Sequence, residues 1–153
     1  MALHKQSKRK GIKRSVDMNP PAAESALPTW TRPPPEEWAP PDVYTIAPDG
    51  ADPSRERVKL RIVSDVDRRF MVEFALVQQT FFRQRWRDVV EVDTCHDVDV
   101  HMHRFARSTG ARVGDPLSLR PILSLSDVQI AYDVAYDAVF EKWEDNRRRW
   151  HDA

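Results

Sequence analysis

The sequence predicts an α+β fold: a small antiparallel sheet of about four strands with one long C-terminal helix packed on one face, preceded by a disordered tail. Three observations carry this. Between residues 55 and 105, short stretches alternate apolar with polar side chains, as half-buried strands do. After Ser124 the apolar spacing changes to three and four residues, which is helical. Before residue 55 the chain is first basic and then proline-rich, with too little apolar surface to form a core.

Two units follow: a basic and Pro-rich tail over residues 1–54 and one α+β domain over residues 55–153. The first 16 residues carry Lys5, Lys8, Arg9, Lys10, Lys13 and Arg14 and no acidic residue. Such an arm suits a salt-dependent contact with nucleic acid or an acidic protein partner, and equally serves as a solubilising terminus. Ten of the twelve prolines lie between Asn19 and Pro53, which predicts an extended, partly polyproline-II linker. Trp30 and Trp38 within it fit a loosely packed linker by default, with docking of one of them on the domain or on a partner as the alternative.

In the domain, Val58, Leu60 and Ile62 alternate with Lys59 and Arg61 as a first strand. Residues 64–69 have turn chemistry. Residues 70–77 form a second strand, apolar on both faces and therefore central, while 78–85 read either as its continuation or as the turn after it. Residues 86–93 form the third strand and 98–105 the fourth. Residues 107–122, broken by Gly110, Gly114 and Pro116, read as a loop. The helix then starts at Ser126, which makes a capping box with Gln129, or at Ser124 with Asp127. Its stripe is Ile130, Ala131, Val134, Ala135, Ala138 and Val139; Asp133, Asp137, Glu141 and Glu144 form the solvated side, and Arg147, Arg148 and Arg149 complement the dipole at its end.

Bulk numbers exclude several classes. Lys plus Arg and Asp plus Glu are both 24, so no global field points to nucleic acid or membrane. One cysteine cannot make an intrachain disulfide. Without an apolar run of about 18 residues or a secretory leader, the protein is expected to be cytoplasmic, with no membrane contact. Four glycines disfavour folds that cradle phosphate in glycine loops, and no HExxH, CxxC pair or GxSxG occurs.

The chemistry concentrates in residues 93–105, which hold His96, His101 and His103, Cys95, and Asp93, Asp97 and Asp99. On a strand, Val98, Val100 and Met102 face the core while Asp99, His101 and His103 share the other side. Residues two apart lie roughly 6.5 to 7 Å apart at Cα, so two imidazoles can flank one phosphate or converge on one ion. The polar turn before them folds His96 and Asp93 back beside the pair. The same alternation also describes the plain solvated face of an outer strand.

The string Asp93-Thr94-x-His96, with His101-x-His103 downstream and a helix running Ala138-Val139-Phe140-Glu141-Lys142-Trp143, resembles a family of small uncharacterised prokaryotic proteins grouped as a domain of unknown function. The resemblance covers about residues 70 to 150. Asp97 stands where the family has a small residue or glycine. Some members look like components of toxin–antitoxin loci, so the resemblance implies a toxin-like nuclease or phosphodiesterase first among enzymes.

In that reading His101 and His103 share general base and acid roles. His96 or Asp93 orients one of them, and Arg104 or Arg87 neutralises the phosphate. A metal variant has His96, His101, His103 and Asp93 binding Zn²⁺ or another divalent ion. The alternative is a non-enzymatic adaptor that uses the Pro-rich tail and the exposed sheet face.

Overall fold

Each strand pairs antiparallel with its neighbour in sequence, so the sheet is an unbroken six-stranded meander. A computed structural model describes residues 31–94 and 99–152. Its strands are β1 (Asp42–Ile46), β2 (Glu56–Ser64), β3 (Met71–Phe82), β4 (Arg85–Asp93), β5 (Asp99–Arg104) and β6 (Leu117–Pro121). Helix α1 (Leu125–Tyr136), a π-helical turn (Asp137–Glu141) and α2 (Trp143–Asp152) follow and cross one face.

The expected architecture holds, with six strands in place of about four. The added strands come from segments read as tail and loop. β1 lies between Pro41 and Pro48, which are outside its ladder, so prolines that argue against a central strand leave this edge strand intact. β6 is the opposite edge: short, largely exposed and ended by Pro121, its brief alternation of Leu117 and Leu119 with Ser118 and Arg120 lies among the Gly110, Gly114 and Pro116 breaks that read as loop. The ambiguous residues after Val77 continue β3 as far as Phe82. Arg83 and Gln84 then form a two-residue hairpin turn with φ of 50° and 64°, a left-handed conformation that Asn-Gly adopts at lower cost.

Strand periodicity sorts the two faces. Val58, Leu60, Phe74, Leu76, Val90, Val92, Val100 and Met102 are buried on the helix side. Val128, Ala131, Ala135, Val139 and Trp150 pack against them, and the small alanines let α1 lie close. Tyr132 adds an edge-on contact with Phe74 at 5.4 Å between ring centres. Ser124, the earlier of the two expected starts, is the cap; its hydroxyl accepts from the Asp127 backbone N–H.

The helix is not continuous. At the π-turn the regular hydrogen-bond ladder breaks, and two buried amides tie the region together. The Asn146 side chain donates to the Ala138 carbonyl at 2.9 Å and to the Gln78 side chain at 3.1 Å, while Gln78 donates to the Trp143 carbonyl at 2.9 Å. Gln78 comes from the middle of β3, so the break in the helix is fixed to the centre of the sheet.

Part of the proline-rich stretch docks on the domain. Ala39 N–H donates to the Ser64 carbonyl and Val66 N–H to the Glu37 carbonyl. Trp38 takes the docked alternative and not the loose linker: it bridges to Asp65 and donates its indole N–H to the Pro33 carbonyl at 2.8 Å. Trp30 and the basic tail lie outside the described residues.

Candidate functional site on the open sheet face

The ladder between β4 and β5 sets Asp93 opposite His101 and Glu91 opposite His103. Cross-strand partners share a face, so these four side chains form one patch on the side away from the helices. His101 and His103 stand side by side, ring centres 6.5 Å apart and planes inclined by 37°. The Asp93 carboxylate reaches 3.8 Å from Nε2 of His103, and both side chains are largely buried, at 5% and 13% exposed. A carboxylate at that position helps to orient an imidazole.

Asp93 is held in place by its neighbour. Thr94 is buried; its backbone N–H donates to the Phe74 carbonyl at 3.1 Å and its hydroxyl accepts from Phe74 N–H at 3.0 Å. That reciprocal pair locks the end of β4 onto β3. From the next strands, the row through Asp93 and His101 continues to Ala75, Arg61 and Ser118, and the row through Glu91 and His103 continues to Val77 and Lys59.

Most charges on this face are neutralised laterally. Glu73, 4% exposed, receives Arg61 at 2.5 Å and Arg32 at 3.1 Å. The Arg32 guanidinium also donates to the Thr94 carbonyl. Glu91 pairs with Arg112 at 2.8 Å, and the Asp99 carboxylate accepts from the Ser118 hydroxyl at 3.2 Å. Further along, Gln79 bridges Arg57 and Asp88, and the Arg57 guanidinium lies 4.0 Å from the centre of the Trp86 ring.

Of the expected site residues, the structure brings together Asp93, His101 and His103. His96, with Cys95, Asp97 and Val98, lies outside the described residues. Among the described residues no group of three or more His, Cys, Asp or Glu side chains is arranged to hold a metal ion. The two arginines assigned to the phosphate are elsewhere. Arg104 pairs with Val90 and lines a cleft on the helix side, and Arg87 pairs with Thr80, whose hydroxyl bonds Glu56 on that same side. The odd-even alternation of a strand puts Arg104 behind the histidines, and the bulge at Val89 reverses the alternation before Arg87.

In their place the open face carries Lys59, Arg61 and Arg32, together with Glu73. Lys59 and Arg61 were legible as the polar side of the first strand. Arg32 has no local signal, because it meets Glu73 and Thr94 from 41 and 62 residues away. Comparison of the chain with protein-family models, with curated proteins and with solved structures finds no match in any of the three.

Proposed function

We propose that the protein is a small phosphodiesterase of the toxin-like nuclease class that cleaves RNA on the open face of its sheet. The observation that carries this reading is the adjacent His101 and His103 pair with the buried Asp93 carboxylate behind one member. RNA supplies its own nucleophile, so an acid and a base are the chemistry it needs. His103 takes the proton of a 2′-hydroxyl, the freed oxygen attacks phosphorus, and Asp93 stabilises the imidazolium that forms. As the bond from phosphorus to the 5′ oxygen breaks, His101 gives that oxygen a proton. The products are a 2′,3′-cyclic phosphate and a 5′-hydroxyl. Lys59 places positive charge on the same face, beside the Arg61–Glu73 pair.

The test is cleavage of a single-stranded RNA oligonucleotide in EDTA, beside its 2′-deoxy counterpart. Cleavage of RNA alone, a bell-shaped pH profile, and a loss of about 10² to 10⁴-fold on replacing either histidine with alanine are expected. Wild-type protein that leaves RNA intact, or a His101→Ala/His103→Ala variant as fast as wild type, overturns the reading. Activity lost in EDTA and restored by Zn²⁺ selects the metal variant, with His96, His101, His103 and Asp93 as ligands.

A non-enzymatic adaptor is the second reading, and the edge of the sheet favours it. β1 leaves Val43 66%, Tyr44 49% and Ile46 44% exposed, a surface on which an extended peptide can add a strand. In that case the double histidine variant keeps its partner affinity while Tyr44→Lys loses it.

A further inference from the structure

On the helix side, β4, the end of β5 and α2 enclose a cleft of about 190 Å³. Val89, Val90, Phe105 and Trp150 make its apolar wall, and Arg104 and Arg149 border it. Its walls are fixed by backbone bonds: Phe105 N–H to the Val89 carbonyl at 3.2 Å, and Val113 N–H to the Arg104 carbonyl at 2.8 Å. Asn146, also in the wall, is fixed by the bonds that secure the π-turn.

Three features distinguish this cleft from an ordinary packing defect. Arg104 and Arg149 are exposed and, among the described residues, have no carboxylate or other side-chain partner, whereas Arg61, Arg112 and Arg147 are all paired. No acidic residue lines the cleft among the described residues. Trp150 is 3% exposed, yet its indole N–H has no acceptor, and a buried donor left so costs about 1–3 kcal/mol. The site therefore combines an apolar wall, two guanidinium forks without a carboxylate partner among the described residues and, buried within the wall, one indole N–H without an acceptor. A cavity of about 150 Å³ holds benzene, so the space suits one ring with a substituent.

We propose that this cleft binds a small planar anion: one aromatic or heteroaromatic ring against Phe105 and Trp150, its phosphate or carboxylate held by Arg104 and Arg149. Guanidinium forks match both anions. A pyrimidine nucleotide and an aromatic carboxylic acid share this chemistry. The proposal does not rest on the histidine site, which is on the other side of the sheet.

The experiment is a titration of the full chain with UMP and, separately, with phenylacetate, followed by proton–nitrogen NMR and calorimetry. Uridine and phenylacetamide serve as uncharged counterparts. Saturable shifts centred on Val89, Phe105 and the Trp150 indole N–H are expected with at least one anion. Binding should weaken at least tenfold for the uncharged counterpart and at least tenfold in Arg104→Gln/Arg149→Gln. Response to UMP alone assigns a nucleotide, response to phenylacetate alone assigns a carboxylate, and response to both assigns the shared chemistry. No saturable shift with either anion overturns the proposal, as does equal affinity for the uncharged counterpart or for the double variant. The uncharged comparison uses wild-type protein, so the result stands even if the double variant fails to fold.

Discussion

The two faces of this sheet use polar residues in opposite ways. On the helix side the buried polar groups are few and reach between layers: Gln78 and Asn146 join β3 to the helical segment, and Glu56, bonded by Thr80 on the next strand, reaches Arg147 of α2. On the open side they are many and lateral, with Glu73, Glu91 and Asp99 each neutralised or bonded by a neighbour in the same layer. A buried vertical bond is a structural joint, and its loss leaves a partner unsatisfied in the core. A lateral pair at the surface contributes little to stability. The exposed pairs of the open face, such as Glu91 with Arg112, can therefore change with little effect on the fold, whereas the buried carboxylates Glu73 and Asp93 cannot.

The sharpest way to break that contrast is to remove the histidines and follow both quantities. His101→Ala/His103→Ala should abolish RNA cleavage, a loss of about 10² to 10⁴-fold, while the chain stays folded and loses about 1 kcal/mol, because His103 is largely buried beside Asp93. Urea denaturation beside the cleavage assay checks both. A variant that unfolds would make the pair a packing feature and dissolve the contrast.

The reverse pattern is expected on the other side. Asn146→Ala removes the bonds to Ala138 and Gln78 and leaves the Gln78 side chain buried with an unmet acceptor. Destabilisation of about 1–3 kcal/mol should follow, with the histidine chemistry unaffected. Equal stability of variant and wild type would show that the π-turn does not depend on this amide.

These same residues show what was legible in the sequence and what was not. Alternation located β2 to β5 and put His101 and His103 on one face, because strand periodicity is local. The helix was plain from its stripe, although Ile130 is exposed and Val128 is buried in its stead, and its break was invisible: Gln78 and Asn146 are 68 residues apart and meet only through tertiary structure. The edge strands escaped for a different reason. β1 and β6 are five residues each, bury little and are flanked by prolines or glycines, so the short apolar pattern they carry does not stand out from loop. At the site, Asp93 was expected and is present beside His103, whereas Arg104 and Arg87 fail on face. For Arg104 the alternation that pairs the two histidines already puts it on the opposite side; for Arg87 a single bulge decides, and that is not written in the sequence pattern.

A smaller effect is expected at the hairpin joining β3 and β4, which extends both faces at once. Arg83 and Gln84 both hold positive φ, a conformation that costs a residue with a Cβ roughly 1–2 kcal/mol. Replacing the pair with Asn-Gly should raise stability by about 1 kcal/mol and leave cleavage unchanged. Thermal unfolding measures it. A loss of stability would mean that the Arg83 guanidinium, 5.2 Å from the Phe82 ring centre, contributes more than the turn strain costs.

The most delicate comparison concerns Glu56, the buried carboxylate where the helix side meets α2. Burial raises its pKa above the ordinary 4.5; the Thr80 hydroxyl, Arg147 and Arg55 oppose that rise, and Asp52 adds to it. One carboxylate oxygen is bonded by Thr80 and Arg147, while the other is buried without a partner. The folded state therefore favours the protonated acid more than the unfolded chain does. Its contribution to stability is fully present below pH 4.5 and is lost as pH rises through the elevated folded value. Glu56→Gln has no such slope, so wild type should lose stability relative to this variant between mildly acidic and neutral pH. Denaturation curves for both proteins across that range measure the difference. If wild type instead gains on the variant as pH rises, the Arg147 pair outweighs the cost of burying the charge, and this joint on the helix side would be held by charge in the manner of the open face.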